Sequence, residues 1–209
     1  MGLIRTELMP DSSEVIPYDH AGIPLYIRAA HLASYYNMCA PCHWHDDIEW
    51  IYIITGKMRY YVNGKRLILN EGDSLMVNAF EQQDCYFLCI LFHPSLFGNN
   101  QILQEKYFLP FFENTSLEFH HFYSNDEAGV KVGRYLQEVL LLKEDSDSGY
   151  ELGVISCMLE LWSFLIRTDL LSAAKNKSES EQELNIQKDM VSLENISYGY
   201  CSRRSCRKE

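Results

Sequence analysis

Nowhere in these 209 residues do the roughly 18 consecutive apolar side chains needed to cross a bilayer follow one another. The longest apolar stretch, 154–166, is broken by Ser156, Glu160 and Ser163. Positive charge is scarce too: 18 Lys and Arg stand against 29 Asp and Glu, a net charge of −11. That balance excludes a surface that grips nucleic acid as a whole, because such binding needs a basic footprint to displace counterions. The opening segment MGLIRTELMPDSSEV has no apolar run, so no secretory signal is expected. An even set of cysteines is also missing. Seven thiols without an export signal are expected to stay reduced in the cytoplasm. No segment repeats another.

What is present is an ordinary globular balance of 47% apolar and 22% charged residues. From Pro24 to Tyr123 the chain reads mainly as short strands. Ile48–Thr55 is β-branched and aromatic and ends at Gly56. Met58–Val62 and Lys65–Leu69 flank Asn63-Gly64, a pair that tolerates the positive φ of a two-residue hairpin. Ser74–Asn78, Cys85–Phe92 and Leu117–Phe122 complete the set. Closely spaced short strands predict a sandwich or closed barrel. After Tyr123 the period changes. Ser124, Asn125 and Asp126 offer caps, and Val132, Leu136 and Val139 recur at helical spacing. Ser148 and Glu151 read as a capping box for a second helix to about Arg167. Two such helices with a short loop between them are expected to pack antiparallel. Residues 172–183 are polar and aperiodic and read as a linker.

The most informative stretch is His43-Trp44-His45-Asp46-Asp47-Ile48-Glu49, with Gly56 following. Extended backbone alternates its side chains, so His43, His45 and Glu49 share one face with Ile51 and Ile53, while Trp44, Trp50 and Tyr52 take the other. Two imidazoles and a carboxylate converging inside a barrel suit Zn, Fe, Mn or Ni with one position open. Alternatively, the three line a metal-free pocket or pair with one another. His120 and His121 are adjacent and face opposite ways, and His93 sits at a strand end.

The spacing H-x-H, three residues, E, six residues, G resembles the first motif of the cupin superfamily, filled here by His43, His45, Glu49 and Gly56. The upstream glycine of that motif would fall at Asn37 and is absent. The second motif begins at Gly72, but no histidine lies between His45 and His93 to serve as its ligand. The surrounding HWHDDIEWIYIITGKMRYYVNGKRLILNEGDSLMVN, with LCILFHPSLF and GYELGVISCMLELWSFLIR, is similar to the N-terminal domain of AraC-type transcription regulators. This resemblance covers roughly residues 20–170. It implies a mainly β, cupin (RmlC-like) jelly-roll barrel followed by an antiparallel helical pair. The domains expected are an arm and effector barrel (1–123), a helical pair for dimerisation (124–171), and a linker with a helix-turn-helix remnant (172–209). It also implies effector sensing without catalysis, with His43, His45 and Glu49 binding a small sugar-like or polar metabolite. No cofactor is required, although the same three residues allow a divalent metal. A homodimer seam is expected at Leu152, Ile155, Leu159 and Trp162.

Rival readings attach to particular residues. Cys39, Cys42 and His43 fit C-x-x-C-H, the haem-attachment pattern, with His45 they make a compact zinc set, and the two cysteines alone could form a redox disulfide, yet two plain thiols on a loop is the simpler reading. A metal-dependent cupin enzyme would use His43, His45 and Glu49. SLENISYGYCSRRSCRKE resembles the start of a DNA-reading domain that the sequence does not continue. Specific DNA binding by this chain alone is therefore not expected, and a third reading makes it a dimerising inhibitor of longer relatives.

Overall fold

The computed structural model describes residues 4–41, 43–62, 65–77, 85–98, 100–113 and 119–171. Among the described residues, six strands form one antiparallel sheet: β1 (Leu25–His31), β2 (Ile48–Val62), β3 (Lys65–Asn70), β4 (Ser74–Val77), β5 (Cys85–Phe92) and β6 (Phe119–Phe122). Their order is β1-β5-β2-β4-β6, with β3 pairing the second half of β2. The sheet rolls up as a jelly roll, so its inner face encloses one core. Helices α3 (Glu127–Asp145) and α4 (Tyr150–Arg167) cover its outer face and close a second. Both faces are dry. That is why β5 (CYFLCILF) is apolar at nearly every position instead of alternating with polar residues.

The alternation rule assigns residues to these two cores. Ile51 and Ile53 join Leu75, Val77, Phe87 and Leu91 inside the roll. Trp50 and Tyr52 point the other way, as the spacing predicts, but meet the helices: Trp50 is fully buried and stacks on Phe122 at 5.6 Å. The strand expected to stop at Gly56 runs through it. Register slips between Ile53 and Thr55, and Gly56 takes φ 85°, so one extra residue is absorbed as a bulge. The slip inverts the alternation, and Met58, Tyr60 and Val62 face inward beyond it.

The helical pair is antiparallel neighbours in sequence and packed in space. Asp126 caps α3 through the Gly129 N–H at 2.6 Å, and Ser146 ends it in the left-handed region. Val132, Leu136 and Val139 meet Val154, Met158, Leu161 and Leu165 in the outer core. The capping box at Ser148 is not made. Gly149 is the N-cap, without a side-chain bond, and Glu151 instead reaches His20 at 3.2 Å. Between β5 and β6, within the stretch read as mainly short strands, the structure holds helix. There α1 (Gln101–Leu103), a π-helical turn (Gln104–Phe108) and α2 (Leu109–Glu113) carry Phe108 and Phe111 against the end of α4. The Asn63-Gly64 turn, Cys42, and everything from residue 172 onward lie outside the described residues, as does the linker and helix-turn-helix remnant expected there. Among the described residues, no helix is long and apolar enough to cross a membrane.

Candidate functional site

The segment before β2 is extended rather than part of the strand, yet it still alternates. His43 and His45 project together, with ring centroids 5.7 Å apart. They are 4% and 6% exposed, and Glu49, on the first turn of inward-facing positions in β2, is 3% exposed. The three residues singled out by spacing therefore do converge under the barrel wall.

A fourth group joins them that spacing could not reveal. Residues 4–18 form an arm that crosses the mouth of the roll. Its own short ladder joins Met9 N–H to Ser13 O and Val15 N–H to Glu7 O, both at 2.9 Å. The far side of this ladder bridges the histidine segment: Glu14 N–H donates to Trp44 O at 2.9 Å, and Trp44 N–H to Ser12 O at 3.1 Å. The Trp44 indole N–H donates to Asp11 O at 3.0 Å. These bonds set Glu14 opposite His43, with Glu14 Oε2 3.1 Å from His43 Nε2. The ligand atoms of Glu14, His43 and His45 all lie within 4.8 Å of one another. Glu49 stands beside them, its Oε2 3.8 Å from His45 Nε2.

The outer ring nitrogens fix the tautomers. His43 Nδ1 lies 3.0 Å from Pro41 O and His45 Nδ1 3.1 Å from Asp47 O. A carbonyl only accepts, so each Nδ1 carries the proton, and each Nε2 turns toward a carboxylate. A bare Nε2 lone pair facing a carboxylate oxygen repels it. The arrangement is satisfied by a proton or a metal cation between them. For His45 burial pulls the pKa down, but the hydrogen bond and charge of Glu49, helped by Glu14 and Asp47, raise it overall. The donor set of imidazole and carboxylate also suits a borderline divalent ion such as Zn, Mn, Fe or Ni. Backbone carbonyls on Nδ1 are the usual outer support for histidine ligands.

Beside the cluster lies an internal cavity of about 60 Å³, walled by Glu14, His43 and Glu49 and by Tyr26, Tyr35 and Tyr60 among apolar side chains. Glu49 is the carboxylate on its inner wall. The Tyr60 hydroxyl stands 3.5 Å from Oε2 and the Cys89 thiol 3.6 Å from Oε1. His45 Nε2 stands 3.8 Å from the same Oε2. Burial, reinforced by the Glu49 charge, pushes the Tyr60 hydroxyl and the Cys89 thiol well up, so both stay neutral donors.

Other candidates are placed elsewhere. Trp44 belongs to the arm contact, while Trp50 and Tyr52 lie in the outer core, where the Tyr52 hydroxyl accepts from Gln137. Trp44, Trp50 and Tyr52 do not line the cavity, whereas Tyr60 further along β2 does. Cys39 is half-buried and its thiol donates to Ala40 O at 3.3 Å. His43 points at Glu14, and Cys42 lies outside the described residues. His93 caps the turn after β5 by accepting from Ser95 N–H at 3.2 Å. His121 is not a bystander: it pairs with buried Asp73 at 3.1 Å, far from the cavity cluster in sequence and role. Burial alone would raise the Asp73 pKa, but His121 and the backbone N–H groups of Asn70 and Ser124 hold it down to about 2. On α4, Leu152 is 73% and Leu159 43% exposed, with Ile155 half-buried. Trp162 does not share that exposed face. It is 3% exposed, stacks on Phe108 at 5.0 Å, and donates its indole N–H to Tyr107 O at 3.0 Å.

Comparison with known proteins places a cupin domain at residues 39–83, the segment that holds both histidines and Glu49. An HTH-type transcriptional regulator of Bacillus subtilis (strain 168), YdeC, is 25% identical over 138 residues. The match takes in 62% of this chain and 47% of that protein, so the chain spans about half the length of the curated relative it matches. Among solved structures, Bacillus subtilis oxalate decarboxylase aligns at 22% identity over 34% of this chain and 26% of its own, with a TM-score of 0.22. The plu4264 protein of Photorhabdus luminescens aligns at 15% identity over 46% of this chain and 92% of its own, with a TM-score of 0.23. Likenesses at those scores say nothing about chemistry.

Proposed function

We propose that the chain is the effector-sensing part of an AraC-type transcription regulator, and that its effector is a small polar molecule bound at the inner wall of the barrel. The observation that carries this reading is Glu49: a buried carboxylate on the cavity wall, facing the Tyr60 hydroxyl at 3.5 Å, the Cys89 thiol at 3.6 Å and His45 Nε2 at 3.8 Å. An occupant that donates further hydrogen bonds to this carboxylate gains roughly 1.5–3 kcal/mol for each. The regulator-type relative supports sensing over catalysis.

The cavity limits what can enter. At about 60 Å³ it falls far below the roughly 300 Å³ at which ligand pockets begin. A sugar-sized effector enters only if the arm moves, because Glu14 is part of the wall. Binding and arm position are then one equilibrium, and a ligand that prefers the displaced arm shifts it. Dimerisation through α4 belongs to the same reading and rests on Leu152 and Leu159, with Ile155 at their edge.

A thermal-shift panel of small sugars, polyols and polar amines on the whole chain tests this. A ligand at 100 times its Kd adds about 2.7 kcal/mol, which for a chain of this size raises Tm by roughly 5–10 °C. The shift is expected to vanish in Glu49→Gln. Equal shifts in both proteins refute the assignment of the site.

A further inference from the structure

We propose that Glu14, carried by the N-terminal arm, is a ligand for a divalent transition metal together with His43 and His45, and that the metal fastens the arm across the barrel mouth. The proposal deepens the sensor reading, since it makes the arm's position depend on metal as well as effector.

Three observations support it. The ligand atoms of Glu14, His43 and His45 lie within 4.8 Å of one another, two of them on buried imidazoles. Ligands about 2.1 Å from a tetrahedral ion stand roughly 3.4 Å apart, so small side-chain adjustments close the set. Both Nδ1 atoms are committed to backbone carbonyls, at 3.0 and 3.1 Å, which turns both Nε2 atoms toward the acids. Finally, the sequence supplies no histidine between His45 and His93 for the second cupin motif, and an acid from a different part of the chain stands beside the pair.

The arm has a second anchorage that gives the metal something to transmit to. Just beyond Glu14, the Tyr18 hydroxyl donates to Asp47 at 2.9 Å, and the Lys143 ammonium of α3 reaches Asp19 at 3.0 Å. His20 meets the Tyr150 hydroxyl at 3.1 Å and Glu151 at 3.2 Å, both on α4. One stretch of chain thus touches the imidazole pair at one end and the helical pair at the other.

The experiment uses the whole, chelator-stripped chain and Co2+ as probe, with no effector present. Binding is followed by Co2+ absorption bands and equilibrium dialysis, and the arm by tryptic cleavage after exposed Arg5. Wild type is expected to take up one Co2+ per chain, and Co2+ is expected to slow cleavage after Arg5 at least fivefold. Glu14→Gln is expected to weaken Co2+ binding at least fivefold, to alter the absorption bands, and to abolish the protection of Arg5. His45→Ala, with an unchanged circular dichroism spectrum, serves as the binding-deficient control. The proposal is overturned if wild type takes up no Co2+, if Glu14→Gln binds within fivefold of wild type, or if Co2+ protects Arg5 equally in both. Should Glu14→Gln fail to fold, the wild-type protection of Arg5 decides alone. None of these failures touches the effector panel, which reads Glu49 and needs no metal.

Discussion

Replacing Trp162 by Ala separates a packing role from an interface role on α4. Helical spacing puts Trp162 on one stripe with Leu152, Ile155 and Leu159, and so on a dimer seam. The structure turns it inward, 3% exposed, between Phe108 at 5.0 Å and Phe111 at 5.3 Å, with its indole N–H on Tyr107 O. Truncation removes most of an aromatic side chain from a closed core, strands the Tyr107 carbonyl, and leaves the Phe108 face unsupported. Core Trp→Ala changes cost about 3–5 kcal/mol, of which the aromatic pair contributes roughly 0.5–1.5 and the hydrogen bond about 1. At about 2–4 °C per kcal/mol for a chain of this length, Tm is expected to fall by roughly 6–20 °C. Trp162→Phe keeps the ring contacts and loses the N–H, so about 1 kcal/mol is expected. Leu152→Ala, at a position 73% exposed, should leave the unfolding free energy within about 0.5 kcal/mol. Urea unfolding followed by far-ultraviolet circular dichroism gives the stabilities, and sedimentation velocity gives the association state. If Trp162→Ala unfolds like wild type while its mass drops from dimer to monomer, the inward placement is wrong and the seam read from spacing is right.

Acid stability should carry the signature of Asp73. Its pKa in the folded chain, about 2, lies below the ordinary 3.8, so its contribution is complete above the ordinary value and is lost as pH falls through about 2. The stability difference between wild type and Asp73→Asn is therefore expected to shrink by about 2 kcal/mol between roughly pH 4 and pH 2, and a flat difference in acid urea titrations would contradict the pairing with His121. Gly129→Ala should invert the usual helix preference, because the added Cβ would lie 1.8 Å from Tyr123 O. A cost of about 1–3 kcal/mol is expected where propensity alone predicts a gain of about 1, and a raised Tm would show that the first turn of α3 is not tied to that carbonyl.

The inward convergence of His43, His45 and Glu49 was legible because alternation is a local property. Extended backbone repeats every two residues whether or not a strand ladder forms, and here the histidines precede the ladder yet still share a face with Glu49. The two long helices were legible for the same reason, from a repeat contained within each segment. Local reasoning failed where a single residue shifts the frame. The bulge before Gly56 inverts the alternation and brings Tyr60 into the cavity, and no composition signal marks its length. It also failed where a segment's partner is distant, as with Trp162 under the helical stretch 101–113 and His121 on Asp73.

Sequence by itself determined the alternating faces, the paired imidazoles with their glutamate, and the change from strand to helix after Tyr123. Each follows from a backbone repeat of two or 3.6 residues, which neighbouring side chains report directly. Tertiary structure alone decided that Glu14 stands against His43, that Trp50 lies beneath helices instead of solvent, and that the cavity is small. Those outcomes depend on which distant segments meet, and a contact between residues 14 and 43 leaves no trace in the spacing of either.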